Sequence, residues 1–146
     1  MLEAGVLLNR DGDALYWHLP AGRSAGALPD SASLWAIMWE HRDELLGFAH
    51  SHPGHGVPRP SHTDVTTFAA IEAALGRRLR WPIINWDMVV EVCWVGPGRL
   101  DYATVPHRAE PSWAGALRAV SGLVCSDRNV GSKTHFNKEI RHAEQL

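Results

Sequence analysis

Between Gly47 and Gly76 the order of residues leaves the chain little freedom. Gly47-Phe48-Ala49-His50-Ser51-His52 is a strand candidate stopped by Pro53, and the Gly54, Gly56, Pro58 and Pro60 that follow can only be loop. Ser61-His62-Thr63-Asp64 then has the form of a capping box, and Val65, Phe68, Ala69 and Leu75 give the apolar stripe of a helix that stops at Gly76. Residues two apart in a strand share a face, so His50 and His52 present two imidazoles side by side while Ser51 faces the other way. Asp64 follows His52 by twelve positions, across a loop that can fold back and bring its carboxylate onto the imidazoles. Two histidines, a carboxylate and an open fourth position are the ingredients of a catalytic zinc site, where the metal lowers the pKa of water to about 7 and amide or ester bonds are hydrolysed. Singly, each residue has a plainer explanation: histidines at a strand end, a first-turn acid at Asp64, an N-cap at Ser61. Together they form a pattern that capping alone does not require.

The flanking sequence supplies further elements. Ala4–Leu8 and Ala14–Leu19 are apolar runs around the turn residues 9–13, which predicts a β-hairpin. Pro20–Pro29 holds Gly, Ala, Ser and Pro with a single charge at Arg23 and is expected to be a flexible surface loop. Asp30 or Ser31 can cap an amphipathic helix over 32–45, ended by Gly47, with Leu34, Ile37, Met38 and Leu45 on its apolar side. Trp81–Asn85, Met88–Val95 and Leu100–Val105 are rich in β-branched and aromatic residues and read as strands. Trp113–Val124 can form a helix, and the polar residues after Ser126 are expected to be a loosely held tail. The predicted division is therefore a catalytic domain over 1–105 and a C-terminal extension over 106–146.

Composition narrows the partners. One hundred and forty-six residues, 45% hydrophobic and 21% charged, suit one globular domain, and a formal charge of −2 gives no basis for nucleic acid or an anionic membrane as a partner. Cys93 and Cys125 lie too far apart in sequence for a CxxC pair, Cys93 reads as a small buried hydrophobe, and a reducing cytoplasm is the expected compartment. No apolar run approaches the roughly 20 residues of a spanning helix. Trp35, Trp39, Trp81, Trp86 and Trp94 fall in predicted elements, where core or half-buried packing is expected. His55 and His62 lie within the motif segment, whereas His18, His107, His135 and His142 have no partners by spacing.

His50-Ser51-His52-Pro53-Gly54 followed by Ser61-His62-Thr63-Asp64 resembles the signature of the JAMM (MPN-plus) zinc metalloproteases, isopeptidases related to the proteasomal and endosomal deubiquitinases. The resemblance runs from Glu3 to about Val105. Its texture is similar to small bacterial members encoded beside ubiquitin-like conjugation enzymes, antiviral operons included. It implies a single α/β domain with a curved, mostly antiparallel mixed sheet flanked by helices, layered like a cytidine deaminase. It further implies one zinc on His50, His52 and Asp64, with Ser61 holding the oxyanion and Glu3 as general base. The spacing departs in two places: eight residues rather than seven separate His52 from Ser61, and only Ala4 separates Glu3 from Gly5 where the family has two residues. The second departure makes the face of Glu3 the open question, since a one-residue slip turns a strand side chain over. Glu40 is the alternative base, although its place among Trp39, His41 and Arg42 is that of an ordinary helix acid.

The implied reaction is cleavage after the C-terminus of a ubiquitin-like protein, in deconjugation or precursor processing. The implied partners are that protein or its conjugates and the activating or conjugating enzymes of the same operon. A scaffold that has lost catalysis, and a peptidase of unrelated peptides or a sulfur-carrier adduct, are the alternatives.

Overall fold

A computed structural model describes residues 1–123. Its elements are β1 (Gly5–Asn9), β2 (Ala14–His18), α1 (Ala32–Glu40), β3 (Leu45–Ser51), α2 (His62–Leu75), β4 (Ile83–Ile84), β5 (Val89–Trp94), β6 (Tyr102–Pro106) and α3 (Ala114–Ser121). One six-stranded sheet runs in the order β2-β1-β3-β4-β5-β6; the β3/β4 pair is parallel and the other pairs are antiparallel. The mixed α/β sheet is the expected one.

Each face of the sheet buries its own core. Leu7, Leu34, Met38, Phe68, Ile71 and Trp81 pack together on the face covered by α1 and α2. Val6, Leu8, Ala49 and Ile84 meet Trp113, Ala114 and Leu117 of the α3 segment on the other. From Ala4 through Leu8 of β1, and from Gly47 onward in β3, side chains alternate between these cores, and the register shift between Leu8 and Asn9 puts Leu45 in the same core as Phe48. The α3 segment, beyond Val105, thus closes the second layer of the sheet, and the tail after Ser126 lies outside the described residues.

The hairpin and α2 follow from local chemistry. Asn9 Oδ1 accepts the Asp11 and Asp13 amides at 3.0 Å each, and Gly12 takes φ 83°, which closes the β1–β2 turn. Ser61 caps α2 in a full capping box with Asp64, and Gly76 ends it in the left-handed conformation.

The first helix is shorter than its periodicity predicts. Met38 and Leu45 are seven apart and in helical phase, yet α1 stops at Glu40 and Leu45 opens β3 opposite Asn9. Pairing with β1 outweighs the helical period here, because it buries Leu45 and satisfies the β1 backbone at once. The strand predicted over Trp81–Asn85 contracts to Ile83–Ile84; Pro82 has no amide to give a ladder. Trp39 is 56% exposed rather than packed, with Arg42 over its ring, and Cys93 is half-buried rather than buried.

Gly47 admits β4's approach. A Cβ there would stand 1.8 Å from the Arg80 carbonyl oxygen, in the segment whose carbonyl accepts the Phe48 amide. Gly47→Ala is expected to destabilise the fold by about 2–3 kcal/mol, lowering the melting temperature by roughly 10 °C in a calorimetric scan.

Candidate metal centre

Strand pairing positions the two histidines. His50 donates its amide to the Pro82 carbonyl (3.0 Å) and His52 to the Ile84 carbonyl (2.9 Å), so β4 holds the end of β3 straight and both rings leave on the α1/α2 face. Phe48 stacks on the His50 ring at 6.5 Å and Phe68 meets it edge-on at 6.1 Å. The Phe48 ring in turn lies over Gly5, where a Cβ would come within 2.1 Å of it.

Asp64 reaches the imidazoles from the first turn of α2. Its Oδ2 stands 3.1 Å from His52 Nε2 and 3.5 Å from His50 Nε2, and the two Nε2 atoms are 2.8 Å apart. The same Oδ2 accepts the Ser61 amide at 2.8 Å. Capping and convergence on the histidines are therefore compatible in this segment: the capping box fixes the carboxylate that faces the two imidazoles.

The donor set suits a divalent ion. Potential ligand atoms of His50, His52 and Asp64 lie within 4.8 Å of one another. A tetrahedral ion with bonds of about 2.0–2.2 Å spaces its ligand atoms by roughly 3.3–3.6 Å, and the three separations here, 2.8, 3.1 and 3.5 Å, lie within or a little below that range. Burial lowers the pKa of His50, which keeps its ring neutral with a lone pair to give. Burial by itself would raise the Asp64 pKa, but hydrogen bonds from His50, His52 and the Ser61 backbone outweigh it and hold the carboxyl well below the usual range. Among the described residues neither Asp64 nor Glu3 pairs with an arginine or lysine side chain, so the cluster carries negative charge that a cation would neutralise.

Glu3 joins this site and Glu40 does not. Gly5 pairs with His50 and Leu7 with Phe48, so on this side of the register shift at Leu8/Asn9 odd residues of β1 share the face of even residues of β3. Glu3, two before Gly5, falls on that face by simple alternation, so the short spacing to Gly5 keeps Glu3 in phase with the histidines. It is buried at 8% exposure and lines the cleft with His50, His52, Ser61 and Asp64. Burial raises its pKa, His52 opposes the rise, and Asp64 adds to it. Glu40 is exposed at the end of α1 and is absent from the cleft wall.

The backbone around Glu3 is braced on three sides. Leu2 donates to Ser121 O (2.9 Å), Glu3 to Ser24 O (2.8 Å), and Ala4 to the buried Ser51 Oγ (2.9 Å), which also accepts from Ser121 Oγ (2.7 Å). Arg23 bridges the Glu3 and Val120 carbonyls at 3.4 and 3.2 Å. The one charge of the 20–29 segment thus ties that segment to β1 and α3. The segment is largely exposed, as expected of a surface loop, and its residues 25–30 also form one wall of the cleft.

Several participants had no signal in the spacing. His18 is buried at the end of β2, its pKa lowered by burial; at 2.7 Å its Nε2–H donates to the Pro29 carbonyl and clips the loop in place. Asn85 Nδ2 holds the Gly56 carbonyl at 2.9 Å, and the Asp87 carboxylate accepts the Gly56 amide and faces His55 Nδ1 at 3.1 Å. The motif loop is thereby fastened to the β4–β5 turn, with His55 stacked on Trp86. His62 is exposed at the start of α2, and His107 faces Glu91 at 2.7 Å, away from the cleft.

The fold and the His-His-Asp cluster define an α/β domain built around a prospective metal centre. Residues 4–96 match the family model for prokaryotic homologs of the JAB domain, and the chain belongs to that family, which includes metal-dependent peptidases. No curated protein matches the chain. Among the described residues no helix is long and apolar enough to cross a membrane.

Proposed function

We propose that the protein is a zinc-dependent peptidase that hydrolyses the peptide or isopeptide bond following the C-terminus of a ubiquitin-like protein. The observation that carries this reading is the opening of Glu3, Ser61 and the three prospective ligands into one cleft. Zinc bound there supplies Lewis-acid polarisation of the scissile carbonyl and a lowered pKa for water.

The chain's own groups divide the remaining work. Glu3 takes a proton from the attacking water and returns it to the leaving amine, which departs poorly unless protonated. A carboxyl whose pKa is raised by burial suits both halves of that transfer. Ser61 Oγ accepts the Asp64 amide at 3.0 Å and makes no donor bond among the described residues, so its proton is available to the oxygen on which charge develops. The tail enters from a ubiquitin-like protein or its conjugates, in a cytoplasm shared with the conjugating enzymes.

A ubiquitin-like domain fused through its C-terminus to an extra residue, or linked to a lysine, is expected to be cut directly after that C-terminus, as read by mass spectrometry. Equal cleavage after chelation, or cleavage of unfolded peptides alone, overturns the assignment. Binding of the tail without cleavage in the presence of zinc points to a scaffold.

A further inference from the structure

The cleft at the metal centre continues well past the ligands, and its continuation is apolar. Its volume is about 670 Å³, within the roughly 300–1,000 Å³ of ligand pockets. Along α2 its wall passes from Asp64 to Phe68 and Ile71, one helical face that extends about 10 Å from the carboxylate. Along β3 it passes from His52 and His50 back to Phe48, and α1 adds Leu34 and Met38. The loop wall contributes Leu28 and Pro29, held by the His18 hydrogen bond to the Pro29 carbonyl. Apart from Glu3 and the ligands, the one acid in the lining is Asp30, which is exposed and whose carboxylate already accepts Trp35 Nε1 (2.5 Å) and the Ser31 amide (2.8 Å).

We infer that this extension is a specificity subsite for a bulky, uncharged apolar side chain carried next to the scissile amide. As a statement about cleavage it rests on the peptidase reading above. A tail of glycine alone would leave these walls against water, and a charged side chain would lose its hydration with no partner to replace it. Filling such a pocket with a leucine or phenylalanine is worth about 10- to 100-fold in kcat/KM. Leu28 and Trp35 are the half-buried positions through which that preference can be tuned.

The test uses the full chain loaded with zinc. In the first arm, N-acetyl-leucine amide and N-acetyl-phenylalanine amide are expected to shift the NMR signals of Leu28, Trp35 and Ile71, and the glycine and aspartate amides to leave them unmoved at equal concentration. In the second, ubiquitin-like fusions carry Leu, Gly or Asp at the residue giving the scissile carbonyl, and in a parallel set at the residue giving the amine. Leucine is expected to exceed glycine by about 10- to 100-fold in one set, which identifies the side of the bond that the subsite reads. Leu28→Asp is expected to lower that ratio about tenfold, whereas Val105→Thr, on the far β6 edge, preserves it. Shifts at the cleft with no cleavage of any fusion would uphold the subsite and remove the peptidase reading. Equal shifts by all four amides, shifts elsewhere only, or cleavage indifferent to leucine overturns the subsite and leaves the peptidase reading standing.

Discussion

Replacing His50 and His52 together by alanine is expected to reduce bound metal from about one zinc per chain to near zero, measured by elemental analysis after gel filtration. The expectation follows from how few donors converge. The double variant leaves one of the three prospective ligands, the Asp64 carboxylate, which is already engaged by the Ser61 amide. The fold should survive, because both histidines enter the sheet through backbone amides that alanine retains. Circular dichroism separates loss of ligands from loss of structure. Full zinc occupancy in a folded double variant would place the site elsewhere. Occupancy of the parent by a metal other than zinc would keep the site and change its chemistry, since nitrogen and carboxylate donors also suit other first-row ions.

The parts of this molecule legible in its sequence are those set by neighbours in the chain. Ser61, Asp64 and Gly76 carry their own start and stop chemistry, and α2 runs between them as expected. The pairing of His50 with His52 needs only the two-residue period of a strand, and the turn at Asn9–Asp13 needs only one side chain and a glycine. Where tertiary contacts compete with local pattern, the pattern misleads. Leu45 is in helical phase with Met38, but β1 recruits it into a strand. Trp39 lies on a helix face that no core element covers, with only the Arg42 side chain over its ring.

The supports of the site were hidden for the same reason. His18 reaches Pro29, Asn85 reaches Gly56, and Ser51 joins β1 to α3; each contact bridges segments whose proximity only the folded sheet creates. Arg23 did stand out as the lone charge of its loop, but a lone charge does not say which carbonyls it will meet. The face of Glu3 required the register of β1 against β3, since the family spacing by itself left it open.

That register makes Glu3→Gln the most exposed prediction. Glutamine keeps the size of the side chain, and every brace on this segment runs through backbone atoms of residues 2–4, so the variant should fold and bind metal like the parent. What it loses is the ability to accept a proton at a position lining the same cleft as the three ligands. The rate of cleavage of a ubiquitin-like fusion is expected to fall by about two to four orders of magnitude, the range for a general acid–base residue. Glu40→Gln, exposed and outside the cleft, should stay within about twofold of the parent, since a surface change there touches none of these groups. An active Glu3→Gln beside an inactive Glu40→Gln would mean that the cleft described here is not where the bond is cut. An active Glu3→Gln and an active Glu40→Gln would assign the proton transfer to a group outside both, and would leave the buried carboxyl of Glu3 as a structural member of the cleft wall. A Glu3→Gln that loses zinc as well as activity would place Glu3 among the ligands, with the raised pKa of its carboxyl giving way once the ion is bound.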